Sequence, residues 1–515
     1  MKFLVLLFSD LNEFQNQKIF PSAAGGLKSA FDRSMEWAAA LDYDGAQKKI
    51  SVIEGKGWTS GQLLESVAAA AKKEAADFVV LARTSCAFLD LPLSKKLIQD
   101  HVEFRAEYTF ADGYPFGFAP EIIDAGAASI MAELCKSVGA EEAKKGVSKD
   151  SVFNVIKGDV NSFEIETEIS SVDMRLLRLN FSCDTKLNCL CAKNVALALA
   201  QKGRQDLLEL DKESVGEKNV LEICAVAKNL PGALKTLPSF YNIQIEGRCF
   251  SKNFFSPYEP RERRMDYESF KALAGKIKAF SDKAVVSLSL FGEAAMHPDF
   301  DKFALCVLQA GLGLFVEVDG GFLPDFLLGQ AYKNLSASLT EEQKKSVFVA
   351  ASLDSFSQEK FSIFHSGDLQ KSVQAVKDLA ADFTETYPQF TRVVENEDEL
   401  EAFYRFWSDK NSPSNGKIIV QKYDNFCGLL LDKKTADLAP LVREPCWHLR
   451  RDMDILLDGS VPFCRDRFLE APLGNAFEQG LEEIWQMKDS LLAEQTKGEC
   501  SGACGKCDEY YTFNF

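Results

Sequence analysis

Six short apolar runs recur through the second half of the chain with helical stretches between them, and that alternation limits the architecture more than any other feature. The runs are FYNIQIEG, AVVSLSLF, GLFVEVDG, VFVAASLD, FTRVVEN and GKIIVQKY, each of seven or eight residues. The intervening DYESFKALAGKIKAF and NEDELEAFYRFW place apolar residues at the helical period. Parallel neighbours need helical crossovers, so six βα steps in succession predict a partial (β/α)6 barrel. In such folds reacting groups gather at the carboxyl ends of the strands. Those ends carry Glu246, Gly292-Glu293, Asp319-Gly320, Asp354 and Glu395, and part of this acidity also suits the N-caps of the helices that follow.

Upstream, FLVLLF, KKISVIE and DFVVLAR alternate with helical stretches over 27–41 and 60–75, which predicts a doubly wound α/β layer with a parallel sheet. DMRLLRLNFSCD reads as a further strand, 188–202 as a further helix, and the charged 201–218 as a surface crossing. A chain of 515 residues exceeds one compact domain and suggests three. The predicted boundaries are 1–235 for the first α/β domain, 236–425 for the barrel and 426–515 for a small cysteine-rich domain.

A formal net charge of −17, without a stripe of Lys and Arg, excludes a phosphate-binding face of the kind nucleic acids need. The opening MKFLVLLFSD is too short in its apolar part for a secretory signal or a membrane span, and Phe3 to Phe8 reads as a buried first strand. A cytoplasmic location is expected, where the 14 cysteines stay reduced and serve metal binding or burial. Cys86, Cys135, Cys224, Cys306 and Cys427 stand singly among apolar residues and are expected to be core thiols, as are Cys183, Cys189 and Cys191. His101 and His365 are expected at the surface, His297 to shape its loop, and His448 is a weaker ligand candidate beside Cys446.

The tail is different. It holds Cys446, Cys464, Cys500, Cys504 and Cys507. Asp458-Gly459 reads as a turn that carries Cys464 back toward Cys446, and Cys504-Gly-Lys-Cys507 is a CxxC knuckle. Two thiols from each can converge on one centre, and four thiolates suit either zinc or an iron–sulphur cluster. The C-xxx-C-xx-C spacing at Cys500–Cys507 has eight residues after it, so it cannot be the loop that opens a barrel.

Phe240 to Glu246, YESFKALAGKIKAF, SLFGEAAMHPDF, VDGG and SLDSFS resemble, in order, the core of radical S-adenosylmethionine (SAM) enzymes. FGEAAMHPDF resembles the loop that holds the methionyl end of SAM. The resemblance implies Gly292, Glu293, Asp319 and Asp354 as cofactor-binding positions. CWHLRRDMDILLDGSVPFCRDRF and CGKCDEYY are similar to the SPASM domain of radical SAM maturases. That implies one auxiliary [4Fe-4S] cluster on Cys446, Cys464, Cys504 and Cys507, with Cys500 as a fifth candidate. The combination resembles a spirochaete SPASM-domain family. The N-terminal third, through KIFPSAAGGLKSAFDRSMEWA and PLSKKLIQDHVEFRAEYTFADGYPFGFAPEII, resembles sugar-activating cytidylyltransferases, which implies a Rossmann-like nucleotidyltransferase-type domain.

Both resemblances depart at their reactive positions. After FYNIQIEG the chain reads RCFSKNFFSPYEP, which keeps Cys249 but has Asn253 and Ser256 at the other two expected thiol positions. An amide and an un-ionised hydroxyl do not replace thiolates on soft iron. In the first domain SDLNEFQNQ lacks the phosphate-loop glycines, and Ser85 and Ser182 stand where metal-binding aspartates belong, while Lys18 and Glu121 still match. The expected protein is therefore a radical-SAM/SPASM-like iron–sulphur protein with a non-catalytic barrel, its cluster serving structure, electron transfer or docking of a protein or peptide. The alternatives are a divergent radical SAM maturase or a cytidylyltransferase acting on a sugar acid, with bound SAM or a zinc-filled tail as the cofactor alternatives.

Overall fold

The computed structural model describes residues 1–22, 25–137, 141–210, 218–251, 254–436 and 443–510. Asn253, much of the predicted surface crossing and the last five residues lie outside the described residues. The chain divides into two compact units, Met1–Thr236 and Leu237–Phe515. Among the described residues no helix is long and apolar enough to cross a membrane.

The first unit is built on β1 (Lys2–Ser9), β2 (Gln47–Glu54), β3 (Phe78–Arg83), β4 (Tyr108–Asp112), β5 (Glu121–Asp124) and β6 (Ile165–Ile169), in the order β2-β1-β3-β5-β4-β6. β1 lies between two parallel partners, which is why Phe3 to Leu7 are apolar without alternation and wholly buried. Helices Ala30–Ala40 and Ser60–Glu74 begin at capping boxes, Ser29 with Asp32 and Thr59 with Gln62, which satisfy the first free N–H groups. The sheet is mixed rather than wholly parallel: β5 runs antiparallel to both β3 and β4. DMRLLRLNFSCD forms a short 3-10 turn at Arg175–Leu177 and isolated bridges instead of a strand. Arg178 takes a left-handed φ of 48°, and Asn180 Oδ1 accepts from both the N–H and the hydroxyl of Ser182, drawing the backbone away from a ladder.

The second unit carries β7 (Phe240–Ile243), β8 (Val285–Ser287), β9 (Gly313–Asp319), β10 (Val347–Ser352), β11 (Glu385–Arg392) and β12 (Ile419–Lys422). All pair in parallel and in sequence order, giving the expected partial barrel. β7 and β8 are shorter than their apolar runs, at four and three residues. Side chains take over where the ladder stops: Ser287 Oγ accepts from the Ser289 N–H at 3.2 Å and Ser289 Oγ from the Glu317 N–H at 2.9 Å. β11 begins before FTRVVEN and includes Pro388, which is tolerated because β12 pairs only from Gln389 onward.

A seventh parallel strand comes from the tail. β13 (Asp452–Ile455) adds outside β7, pairing Asp452 with Phe240 through to Ile455 with Ile243. Sequence periodicity shows no strand there, because Asp452 and Asp454 break the apolar pattern. Both are nonetheless buried: Asp454 accepts from Asn242 Nδ2 at 2.7 Å, and Asp452 is held by His448 and Arg451. Met453, Ile455, Leu481, Ile484 and Trp485 of the tail join one core with Phe270, Phe303 and Val318 of the barrel.

Candidate metal centre and the barrel mouth

Three stretches of the tail carry the candidate thiols. Cys446 precedes the short helix Trp447–Arg451, and its N–H donates to Gln495 Oε1 at 2.8 Å. Cys464 precedes the turn Arg465–Arg467, and Arg467 reaches the sulphur of Cys504 at 3.7 Å. The Trp447 N–H donates to the Tyr510 carbonyl at 3.0 Å and Arg443 to the Cys507 carbonyl at 3.2 Å, which ties the first stretch to the knuckle. Burial pushes the Cys446 thiol up to about 12, with Cys504 and Asp466 close enough to add to it. Burial also raises Cys464, helped by Asp466 and Cys446.

The donor set fits a soft metal centre. Thiols held at high pKa in a poorly hydrated site lose their protons to a metal ion, and metal binding is coupled to that loss. The surroundings already supply positive charge and N–H donors for the resulting thiolates. Arg467 lies against Cys504, and the Glu509 N–H donates to Cys507 Sγ at 3.3 Å. Lys488, wholly buried, donates to the Asp452 carbonyl at 2.8 Å; burial lowers its pKa, against the pull of Asp454 and the thiols of Cys464 and Cys446.

Cys427, expected as a core thiol, belongs to this cluster instead. Its sulphur, Cys507 Sγ and an Asp466 oxygen all lie within 4.8 Å of one another. Nothing local marks it, since FCG resembles any buried cysteine and only packing of the loop after β12 brings it there. Cys500 is half-buried and places its carbonyl oxygen 2.9 Å from where a Cβ on Gly505 would stand. His448 pairs through Nδ1 with Asp452.

At the carboxyl ends of the barrel strands lies a cavity of about 220 Å³ lined by Cys249, Glu293, Glu317, Asp319, Asp354 and His365, among others. His365 is buried, not exposed, and bridges two carboxylates: Nδ1 to Asp319 at 3.0 Å and Nε2 to Asp354 at 3.0 Å. Burial pulls its pKa down, but the hydrogen bonds to Asp319 and Asp354 outweigh that and hold it at about 9. Asp354 is wholly buried at a left-handed φ of 55°, fixed by the Thr391 N–H at 2.6 Å and by Asn396 Nδ2 on its carbonyl at 2.8 Å. Such backbone strain persists only where the surroundings enforce it. Glu293 accepts from the Asp319 N–H at 2.9 Å and from the Ala295 N–H at 3.3 Å, and burial with Asp319 nearby pushes it up to about 8. Gly292 has φ +73° and passes so close to β7 that an added Cβ would stand 2.2 Å from the Glu246 carbonyl oxygen.

The loop after β7 is held by side chains of its own. Ser251 Oγ donates to Asp319 Oδ1 at 3.0 Å and accepts from the Ser366 N–H at 3.0 Å. Phe250 packs on Phe322 at 4.9 Å, and Phe254 and Phe255 pack on Phe364 at 4.8 and 5.3 Å. Cys249 is half-buried, and burial together with Glu293 and Asp319 pushes its thiol up to about 11. Ser256 accepts from the Tyr258 N–H at 3.2 Å.

In the first unit Ser85 and Ser182 are buried, and Cys86 bridges to Ser182. Glu121 accepts from the Tyr108 hydroxyl at 2.5 Å, and burial pushes it up to about 7. His101, expected at the surface, is buried against Thr109 at 2.9 Å, and burial lowers it to about 4. His297 is buried too, its Nδ1 accepting from the Asp299 N–H at 3.1 Å within its loop.

Residues 446–508 match the family model of SPASM, an iron-sulfur cluster-binding domain. An uncharacterized protein of Treponema pallidum (strain Nichols) is 33% identical over 387 residues, which span 71% of this chain and 98% of the relative. Among solved structures, Streptococcus suis SuiB bound to precursor peptide SuiA is 14% identical, covering 61% of this chain and 81% of that chain with a TM-score of 0.41. A cytidylyltransferase from Leptospira borgpetersenii serovar Hardjo-bovis (strain JB197) is 14% identical, covering 46% of this chain and 98% of that chain with a TM-score of 0.34.

Proposed function

Because the chain belongs to the spirochaete SPASM-domain family that includes the Treponema pallidum protein, we propose that it holds one [4Fe-4S] cluster on Cys446, Cys464, Cys504 and Cys507 and cleaves no SAM in its barrel. When bound, such a cluster supplies a one-electron redox centre and a rigid crosslink between distant stretches of chain. The protein's own part is to present four sulphurs from three stretches and to face them with Arg467, Lys488 and the Glu509 N–H, which offset the charge of the thiolates. The tail packs into the barrel core through β13 and Trp485, so the crosslink also steadies the barrel. The cluster acts in electron transfer or in docking a protein or peptide.

The observation that carries the barrel half of this reading is the loop after β7. Ser251, Phe250, Phe254 and Phe255 fasten it to Asp319, Phe322 and Phe364 by hydrogen bonds and ring packing, work that a site-differentiated cluster would otherwise do. Its single thiol, Cys249, leaves a cluster two thiolates short, because Asn253 and Ser256 stand at the other two expected positions. The first unit is a scaffold on this reading, since serines occupy both expected metal positions.

Anaerobically purified protein should contain about four iron and four sulphide per chain and show one cluster signal by electron paramagnetic resonance after reduction. Cys504→Ala/Cys507→Ala should lose the iron, while Cys249→Ala should keep all of it. Stoichiometric zinc in place of iron would refute the assignment. Reductive formation of 5′-deoxyadenosine from SAM, abolished by Cys249→Ala, would restore an active barrel, and pyrophosphate release from CTP with a sugar acid would restore the transferase.

A further inference from the structure

The outer edge of the first sheet is long and open. β2 is the edge strand beside β1 and runs for eight residues, Gln47–Glu54, without a proline, and no described strand pairs with its other side. Edges of this length are templates for a further strand unless something blunts them. The ladder to β1 decides which groups face outward. The Gln47 N–H donates to the Met1 carbonyl at 3.0 Å and the Gly55 N–H to the Ser9 carbonyl at 2.8 Å. With the parallel register Lys2 to Gln47 through Ser9 to Glu54, the odd-numbered residues of β2 turn both backbone groups toward β1 and the even-numbered ones turn theirs away. Among the described residues nothing bonds the outward N–H and C=O groups of Ile50, Val52 and Glu54. Ile50 is 37% exposed and Glu54 is exposed as well, so solvent reaches this edge.

We propose that two copies of this chain associate edge to edge through β2, antiparallel, about a two-fold axis at Ser51, and so join their sheets into one. A two-fold contact pairs each residue with its mirror in the sequence. Centred on Ser51, it sets Ile50 against Val52 and Lys48 against Glu54 of the other copy. These are the outward-facing residues, the ones that exchange both backbone bonds in an antiparallel pair. Charge agrees with this register. The strand is positive at one end, Lys48 and Lys49, and negative at the other, Glu54, so antiparallel pairing brings opposite charges together. Lys48 is fixed beside the edge, because its ammonium donates to the Ala38, Ala39 and Leu41 carbonyls at the end of helix Ala30–Ala40. In-register parallel pairing would instead set Lys48 on Lys48 and Lys49 on Lys49, and like charges directly opposite are destabilising. The residue on the axis meets its own copy at the closely spaced position, where the Cα atoms stand about 4.5 Å apart. A serine is small enough for that place.

The test is sedimentation velocity on the full-length protein over a concentration series reaching the micromolar range, with far-ultraviolet circular dichroism on the same samples. The wild type should reach twice the chain mass and dissociate on dilution. Ile50→Pro removes an outward N–H and leaves the ladder to β1 intact, so it should stay at the chain mass with an unchanged spectrum. Glu54→Lys alters an exposed side chain and should move the association to higher concentration. Crosslinking reads the register. On mild oxidation Ser51→Cys should give a covalent dimer above the wild-type background, and Gln47→Cys should not, since its two copies lie at opposite ends of the paired strands. A wild type that keeps the chain mass at every concentration overturns the inference. So does a dimer that Ile50→Pro and Glu54→Lys both leave unchanged, which places the contact elsewhere on the chain, and so does a dimer that Ser51→Cys fails to crosslink. None of these readouts depends on the iron content.

Discussion

The C-terminal unit should lose about 3 kcal/mol of stability between pH 6 and pH 10 as His365 gives up its proton, given its rise from 6.5 to about 9. The sign follows from which state holds the proton more tightly. Folding raises the pKa of His365, so its contribution is fully present below pH 6.5 and disappears as pH rises through about 9. Glu293 adds a loss of the same sign at lower pH, since burial and Asp319 lift it from 4.5 to about 8. His365→Ala separates the two. It should cost about 3–5 kcal/mol at pH 6, because it leaves Asp319 and the wholly buried Asp354 facing each other without their shared cation. It should also flatten the pH dependence between pH 8 and pH 10. Urea denaturation with pulse proteolysis, counting peptides of the second unit, measures both. A wild-type curve as flat as that of the variant would show that the bridge is not charged.

Gly292→Ala should be nearly as damaging, for a backbone reason. A left-handed φ of +73° costs an alanine about 1–2 kcal/mol. Its Cβ would also stand 2.2 Å from the Glu246 carbonyl oxygen and 3.0 Å from that of Arg248, both main-chain atoms that cannot swing aside. Relief means parting this loop from the end of β7 and breaking the 2.6 Å bond from the Glu293 N–H to the Arg248 carbonyl. A total near 3–4 kcal/mol is expected from strain plus one lost buried hydrogen bond. Gly275 provides the contrast. It lies in helix Tyr267–Phe280 with nothing within 4 Å of an added Cβ, so Gly275→Ala should stabilise by up to about 1 kcal/mol. Similar denaturation midpoints for the two variants would refute the close crossing at Gly292.

Much of the scaffold is legible before folding because its causes are local. The capping pairs Ser29 with Asp32 and Thr59 with Gln62 set helix starts within a few residues, and the unbroken apolar run of β1 announces a strand buried on both faces. The six βα steps emerge in order for the same reason. The carboxylates at the strand ends are also visible, since topology alone puts them on one rim.

Other features depend on residues that meet only after the chain has closed. His365 looks like a surface histidine in IFHSG, yet its ring nitrogens meet carboxylates 46 and 11 residues earlier in sequence. β13 escapes periodicity because its aspartates are buried against His448, Arg451 and Asn242, which bond them, partners that no local pattern reveals. Sequence by itself determined the six βα steps of the barrel, the thiol-rich tail and the missing thiols of the barrel loop, all matters of residue type and short-range spacing. Tertiary structure alone decided that Cys427 joins the tail thiols, that His365 clamps the barrel mouth and that the tail extends the sheet, because burial and electrostatic pairing are set by neighbours in space rather than in sequence.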